Sequence, residues 1–127
     1  MATFLTQPTT TPASQELFDA DLDEIGFVMN ASTLWAYQPE TVTGLFDLLR
    51  TTKNHADLTF RQMGILVTAT ASTLGDAYCS LAWGKKLAGV SDAETAAGVL
   101  SGDDQRLTEA ESAMADWARK VVRDPNA

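Results

Sequence analysis

Few side chains in this sequence could do covalent chemistry near neutral pH: one cysteine, Cys79, and one histidine, His55. Cys79 lies in the run Gly75-Asp76-Ala77-Tyr78-Cys79-Ser80-Leu81-Ala82-Trp83-Gly84-Lys85-Lys86. Gly75-Asp76 reads as a left-handed helix end followed by an N-cap, which puts the thiol at the third position of a new helix. There it faces unpaired N–H groups and the positive end of the helix dipole, both of which favour the nucleophilic thiolate. Lys86, two turns on, adds positive potential, whereas the carboxylate of Asp76, one turn back, opposes ionisation. Trp83, at i+4, is expected over the thiol, limiting water. The competing reading is a buried, inert cysteine, since free Cys is among the most buried residue types. His55, in Lys53-Asn54-His55-Ala56-Asp57, is either an exposed loop residue or an acid/base reaching Cys79 from a neighbouring helix end. Asp76 could carry a proton only if burial raised its pKa.

Composition narrows the chemistry. One thiol and one imidazole cannot build a Cys/His zinc site, and a lone thiol cannot close an internal disulfide. No metal and no cofactor are expected. A chain of 127 residues suits one domain that buries roughly two thirds of its unfolded surface. Seventeen acidic against nine basic residues give a net charge of −8, so there is no phosphate-binding footprint, and neither nucleic acid nor an anionic membrane is an expected partner. No apolar run approaches the ~18 residues of a membrane span. The N-terminus lacks the basic stretch and apolar run of a secretory signal, so a cytoplasmic location is expected. The acidic runs at 19–24 and 103–104 lack metal-loop spacing and read as solvated faces.

The elements that would position these residues are helical. Residues 1–12, rich in Thr with Pro8 and Pro12, read as a tail, disordered or laid along a partner subunit through Phe4 and Leu5. Residues 13–127 read as one domain. A helix runs from Ser14 to about Gly26, and Asn30 is a candidate N-cap for 31–38. Pro39 opens a helix whose Val42, Leu45, Phe46 and Leu49 recur at i, i+3, i+4, i+7, and 50–56 reads as a polar connection. Thr59-x-x-Gln62, Ser91-x-x-Glu94 and Thr108-x-x-Glu111 have capping-box spacing. The 58–74 segment is apolar on most sides and reads as a central helix buried all round. Gly75 ends it, Gly89 closes a helix over 77–88, and short and final helices follow. The class is all-α.

The order Asn30, Pro39, central helix, Tyr78-Cys79, Gly89-Val90-Ser91 and final Leu107-Thr108-x-x-Glu111 resembles the AhpD-like / carboxymuconolactone decarboxylase family. Within it the peroxidase-related branch is the most similar. The resemblance spans about residues 14–124 and is sharpest at Ala77-Tyr78-Cys79 and Lys86-Leu87-Ala88-Gly89-Val90-Ser91. It implies a helical bundle around a central buried helix, a homo-oligomer (trimer, hexamer or dimer), and reduction of alkyl hydroperoxides by a Cys-x-x-Cys pair at a helix start. Carried over residue by residue, the peroxide-attacking cysteine is Cys79. The resolving cysteine falls on Asp76, the histidine four residues after the second cysteine on Trp83, and the relay glutamate of the central helix on Gly64.

The resemblance therefore implies an alkylhydroperoxidase-like protein, at best a one-cysteine thiol peroxidase using Cys79, a hydroperoxide and an external thiol reductant. The alternative is a non-catalytic oligomeric scaffold or small-molecule binding module, with Tyr78, Trp83 and Gly64 at its pocket. A third reading is a different chemistry in a pocket around Trp83, Tyr78 and His55. The other aromatics, Trp35, Trp117, Phe27, Phe46 and Phe60, fit core or subunit interface as readily as a pocket. Relatives in that branch continue past a segment like Val121-Val122-Arg123-Asp124-Pro125, so this chain is expected to be either a short member or one whose C-terminal part is missing.

Overall fold

The computed structural model describes Thr6 and residues 8–126; Phe4 and Leu5, the expected anchor of the tail, lie outside the described residues. Among the described residues there are seven α-helices and no strand, in line with the all-α expectation. No helix is long and apolar enough to cross a membrane. The chain divides into two compact units, Met1–Ala56 and Asp57–Ala127.

The first unit holds α1 (Pro12–Ile25), α2 (Asn30–Trp35) and α3 (Pro39–His55). Helix α1 starts two residues before Ser14 because Thr11 and Ser14 cap each other. Ser14 N–H donates to Thr11 Oγ1 (3.2 Å) and Thr11 N–H to Ser14 Oγ (2.8 Å), while Pro12 takes the first helical position, where its missing N–H costs nothing. Gly26, left-handed at φ 81°, ends the helix. Asn30 is the first residue of α2 rather than its cap; Met29 precedes it without a side-chain bond, and the helix stops at Trp35. The Met29 N–H is held instead by Asp21 Oδ2 at 2.9 Å. Asp21 is thus a buried tie within an acidic run expected to be solvated. Helix α3 continues through the stretch expected to be a connection. Neither Gly nor Pro interrupts 50–55, the Thr51 and Thr52 hydroxyls bond back to the Asp47 and Leu48 carbonyls, and Lys53 suits the negative helix end.

The second unit holds α4 (Phe60–Leu74), α5 (Ala77–Val90), α6 (Ala93–Ser101) and α7 (Glu109–Arg123). Helix α4 packs against all three others. The core consists of Ile65, Ala69, Leu87, Ala96, Val99, Ala115 and Ala118, where small side chains let helix axes approach. Residues 61–73 of α4 are all buried or half-buried, Gly64, Ile65, Thr68, Ala69 and Ala71 fully so, and the expected burial all round fails only at the two ends, where Phe60 and Leu74 are exposed. The Thr59/Gln62 and Thr108/Glu111 capping boxes form. The third does not. Gly89 stays helical, α5 runs on to Val90, and the Ser91 hydroxyl donates to the Leu87 carbonyl at 2.6 Å. Asp92 then caps α6, its Oδ1 accepting from the Thr95 N–H at 2.8 Å. At the far end of α6, Gly98 lies against the following loop; its carbonyl accepts from the Asp103 N–H at 2.8 Å.

Two ion pairs fasten α7. Arg119, only 8% exposed, donates to both Asp104 oxygens (2.6 and 2.8 Å) and to the Val99 carbonyl (3.1 Å), tying α7 to the end of α6. Asp104 is therefore a structural partner, a correction to the solvated face expected from sequence. Arg61 meets Glu111 at 2.7 and 3.2 Å, and Glu111 also accepts from the Thr108 N–H at 3.0 Å. The Arg61 hydrogen bonds, aided by Thr108 and the guanidinium charge, hold the Glu111 carboxyl down at about 2.

Two expectations follow from this packing. A Cβ on Gly98 would stand 2.5 Å from the Asp103 carbonyl oxygen, whereas one on Gly44 in α3 would meet nothing within 4 Å. Gly98→Ala should therefore cost roughly 1–3 kcal/mol, while Gly44→Ala should add roughly 0.5–1 kcal/mol, both read from urea unfolding. A carboxyl whose pKa is lower folded than unfolded stabilises the fold at pH values above its unfolded pKa. That contribution disappears as the pH falls towards the folded value. Glu111 should thus contribute up to about 3 kcal/mol at neutral pH, lost between about pH 5 and pH 2. In Glu111→Gln this part of the acid transition should be missing.

Candidate functional site

The turn between α4 and α5 holds the expected cysteine where the sequence put it. Helix α4 ends on Gly75, left-handed at φ 75°, and Asp76 caps α5 with Oδ1 2.9 Å from the Cys79 N–H. Cys79 is half-buried on the first turn of α5, and Tyr78 beside it is exposed. The same cap decides the electrostatics of the thiol. Partial burial pushes the Cys79 pKa up, and a hydrogen bond to the Asp76 carboxylate and its negative charge push it further. Asp76 itself is driven down, first by the backbone N–H of Cys79, then by the Cys79 side chain and the Tyr78 N–H. It is thus held ionised. The helix dipole favours a thiolate at this position, and burial and the Asp76 charge both act against it. Asp76 is a fixed anion here, not a proton carrier.

The surrounding residues are engaged in packing. Trp83 stacks obliquely on Phe60, with ring centroids 6.0 Å apart and planes at 31°, and the Lys86 ammonium lies 5.0 Å from the Trp83 ring centroid. The lysine expected to supply positive potential to the thiol is therefore placed over an indole face. Gly64, buried on α4, faces Leu87 of α5; a Cβ there would sit 3.4 Å from Leu87 Cδ1. Leu87 is itself fully buried in the core. His55 ends α3 in the first unit, where it is exposed.

Asp76, Tyr78 and Cys79 are thus brought together on one helix start, with Trp83 one turn further along. Open clefts occur elsewhere: one is lined by Glu94, Gly98 and Arg106, another by Ser72, Arg119 and Arg123, and a third, in the first unit, by Leu17, Glu40 and Val42. The two arginine–carboxylate ties of α7 were not apparent from sequence, because the partners stand 50 and 15 residues apart. Comparison of the chain with family models, curated proteins and solved structures finds no match.

Asp76→Asn keeps a capping side chain but removes the charge. The Cys79 thiol should then react faster with a disulfide reagent at neutral pH, because the thiolate fraction rises, and the pH–rate profile should move to lower pH; an unshifted profile means that Asp76 does not govern the thiol.

Proposed function

We propose that this chain is an alkylhydroperoxidase-like protein of the peroxidase-related kind that serves chiefly as a self-associating helical scaffold. Peroxide chemistry in it is reduced to, at most, a slow one-cysteine reaction at Cys79. The observation that carries this reading is the Leu87 side chain packed against Gly64. In the family that the sequence resembles, the corresponding position bears the relay glutamate. Here the position carries no side chain, and Leu87 of α5 lies against it. Asp76, where the resolving thiol would stand, supports the same reading, since it raises the pKa of the remaining thiol.

The residual reaction balances only with an external reductant. The Cys79 thiolate attacks one peroxide oxygen, the O–O bond breaks, and the alkoxide leaves and takes a proton from water to give the alcohol. The sulfenic acid then condenses with an external thiol, releasing water and forming a mixed disulfide. A second thiol restores Cys79 and carries away the oxidised reductant. The first step depends on the Cys79 thiolate, the form that Asp76 suppresses.

Cumene hydroperoxide added to the reduced protein should consume the Cys79 thiol slowly, on a scale closer to that of an unactivated cysteine than to that of a peroxidase. Dimedone should trap little sulfenic acid, and Cys79→Ser should leave the oligomer unchanged. Thiol loss within seconds at equimolar peroxide, with turnover on an added thiol, would establish the one-cysteine peroxidase in its place.

A further inference from the structure

The first unit begins with charge of one sign. No lysine or arginine precedes Arg50, whereas seven Asp and Glu residues do. On α1, Glu16, Asp19 and Asp23 stand at i, i+3 and i+7, so they form one exposed acidic stripe. None lies in the first turn, where a carboxylate would answer the helix dipole. Like charges at these spacings repel, and α1 holds no base to neutralise them. Asp19 accepts from the Gln15 amide at 2.8 Å. The Glu16 and Asp23 carboxylates have no hydrogen bond or ion pair among the described residues.

The stripe borders a groove of about 430 Å³ between α1 and α3. Leu17, Pro39 and Val42 line it and are half-buried or buried, whereas Glu16 on α1 and Glu40 on α3 line it and are exposed. Apolar walls with a carboxylate on each helix suit a lysine or arginine side chain, whose stem packs on apolar surface while its head stays in water. Glu40 also answers the positive end of α3, and it too has no ion pair among the described residues. On the other side of the stripe Leu22 is 48% exposed. Covering it takes an apolar group set among the basic ones, which a polyamine lacks. No three His, Cys, Asp or Glu side chains among the described residues group as a metal site. The acids are thus spread for several cations rather than gathered round one, and their sign turns away nucleic acid and anionic lipid.

We infer that this face of the first unit, the α1–α3 groove with the Glu16/Asp19/Asp23 stripe, docks a basic polypeptide segment with apolar residues between its lysines or arginines. One basic side chain lies in the groove, its head within reach of Glu16 and Glu40. Its neighbours meet Asp19 and Asp23, and an apolar side chain covers Leu22. The inference is independent of the scaffold reading. Each ion pair is at the surface, so the contact is reversible and sensitive to salt.

Fluorescence anisotropy of a labelled peptide of four Lys-Leu-Ala repeats, titrated with the full chain, tests it. The peptide should bind at low salt and more weakly at physiological salt. Glu16→Gln and Glu40→Gln should each weaken binding roughly two- to fivefold. Thr43→Trp, which fills the groove and leaves every charge in place, should weaken it as well. Glu109→Gln, in the second unit, should leave binding unchanged. All four positions are exposed, so helical circular dichroism should not move. A loss in Glu109→Gln equal to that in Glu16→Gln shows diffuse attraction to an acidic chain and overturns the docking site. Wild-type binding by Thr43→Trp, or no binding at low salt, overturns it too. Spermine bound as tightly as the peptide, with the same loss in Thr43→Trp, replaces the polypeptide with a small cation.

Discussion

The close seating of Leu87 against Gly64 sets the geometry of the second unit. With no side chain on α4 at this point, α5 comes near enough for Leu87 to be fully buried among Ile65, Ala69 and Val99. A fully buried leucine stabilises by about 2 kcal/mol through area alone, and every neighbour packed on it shares that dependence.

Charge plays a double part around α5. Asp76 caps the helix through the Cys79 N–H, and by doing so it places a full negative charge beside the sulfur of the same residue. A serine or threonine could cap without charge, and a second cysteine could resolve an oxidised intermediate. The aspartate does neither. It favours a well-started helix and a protonated thiol.

The positive charges follow a similar logic. Lys86 rests on Trp83, Arg119 is spent on Asp104 and the Val99 carbonyl, and Arg61 is spent on Glu111. The cost of burying Arg119 is offset by three hydrogen bonds, and such a buried pair specifies where the end of α6 must sit relative to α7. In the first unit, by contrast, the apolar residues of α3 beyond Val42 outnumber the covering provided by α1 and α2, which turns an ordinary amphipathic helix into a surface.

Local chemistry was legible in the amino-acid order. Thr59-x-x-Gln62, Thr108-x-x-Glu111, Gly75, Gly26 and Pro39 mark helix ends because the atoms that satisfy the free N–H and C=O groups belong to residues three or four apart. Asp76 and Cys79 were legible for the same reason. Where two local signals competed, order alone misled: Gly89 and Ser91 spell a helix break, yet the α5–α6 packing carries the helix through to Val90. Gly64 could be noted but not interpreted until Leu87 was seen against it, 23 residues away in the chain. The ties of Arg61 to Glu111 and Arg119 to Asp104 likewise join distant positions, as does the burial of Asp21 by the Met29 N–H. Hydrogen bonds that close within one helical turn are written in neighbouring residues. The Asp76 charge beside Cys79 is of this local kind, whereas the burial of the thiol, like the contacts of Gly64, Arg61 and Arg119, is set by what other parts of the fold bring alongside, and only the tertiary structure decides that.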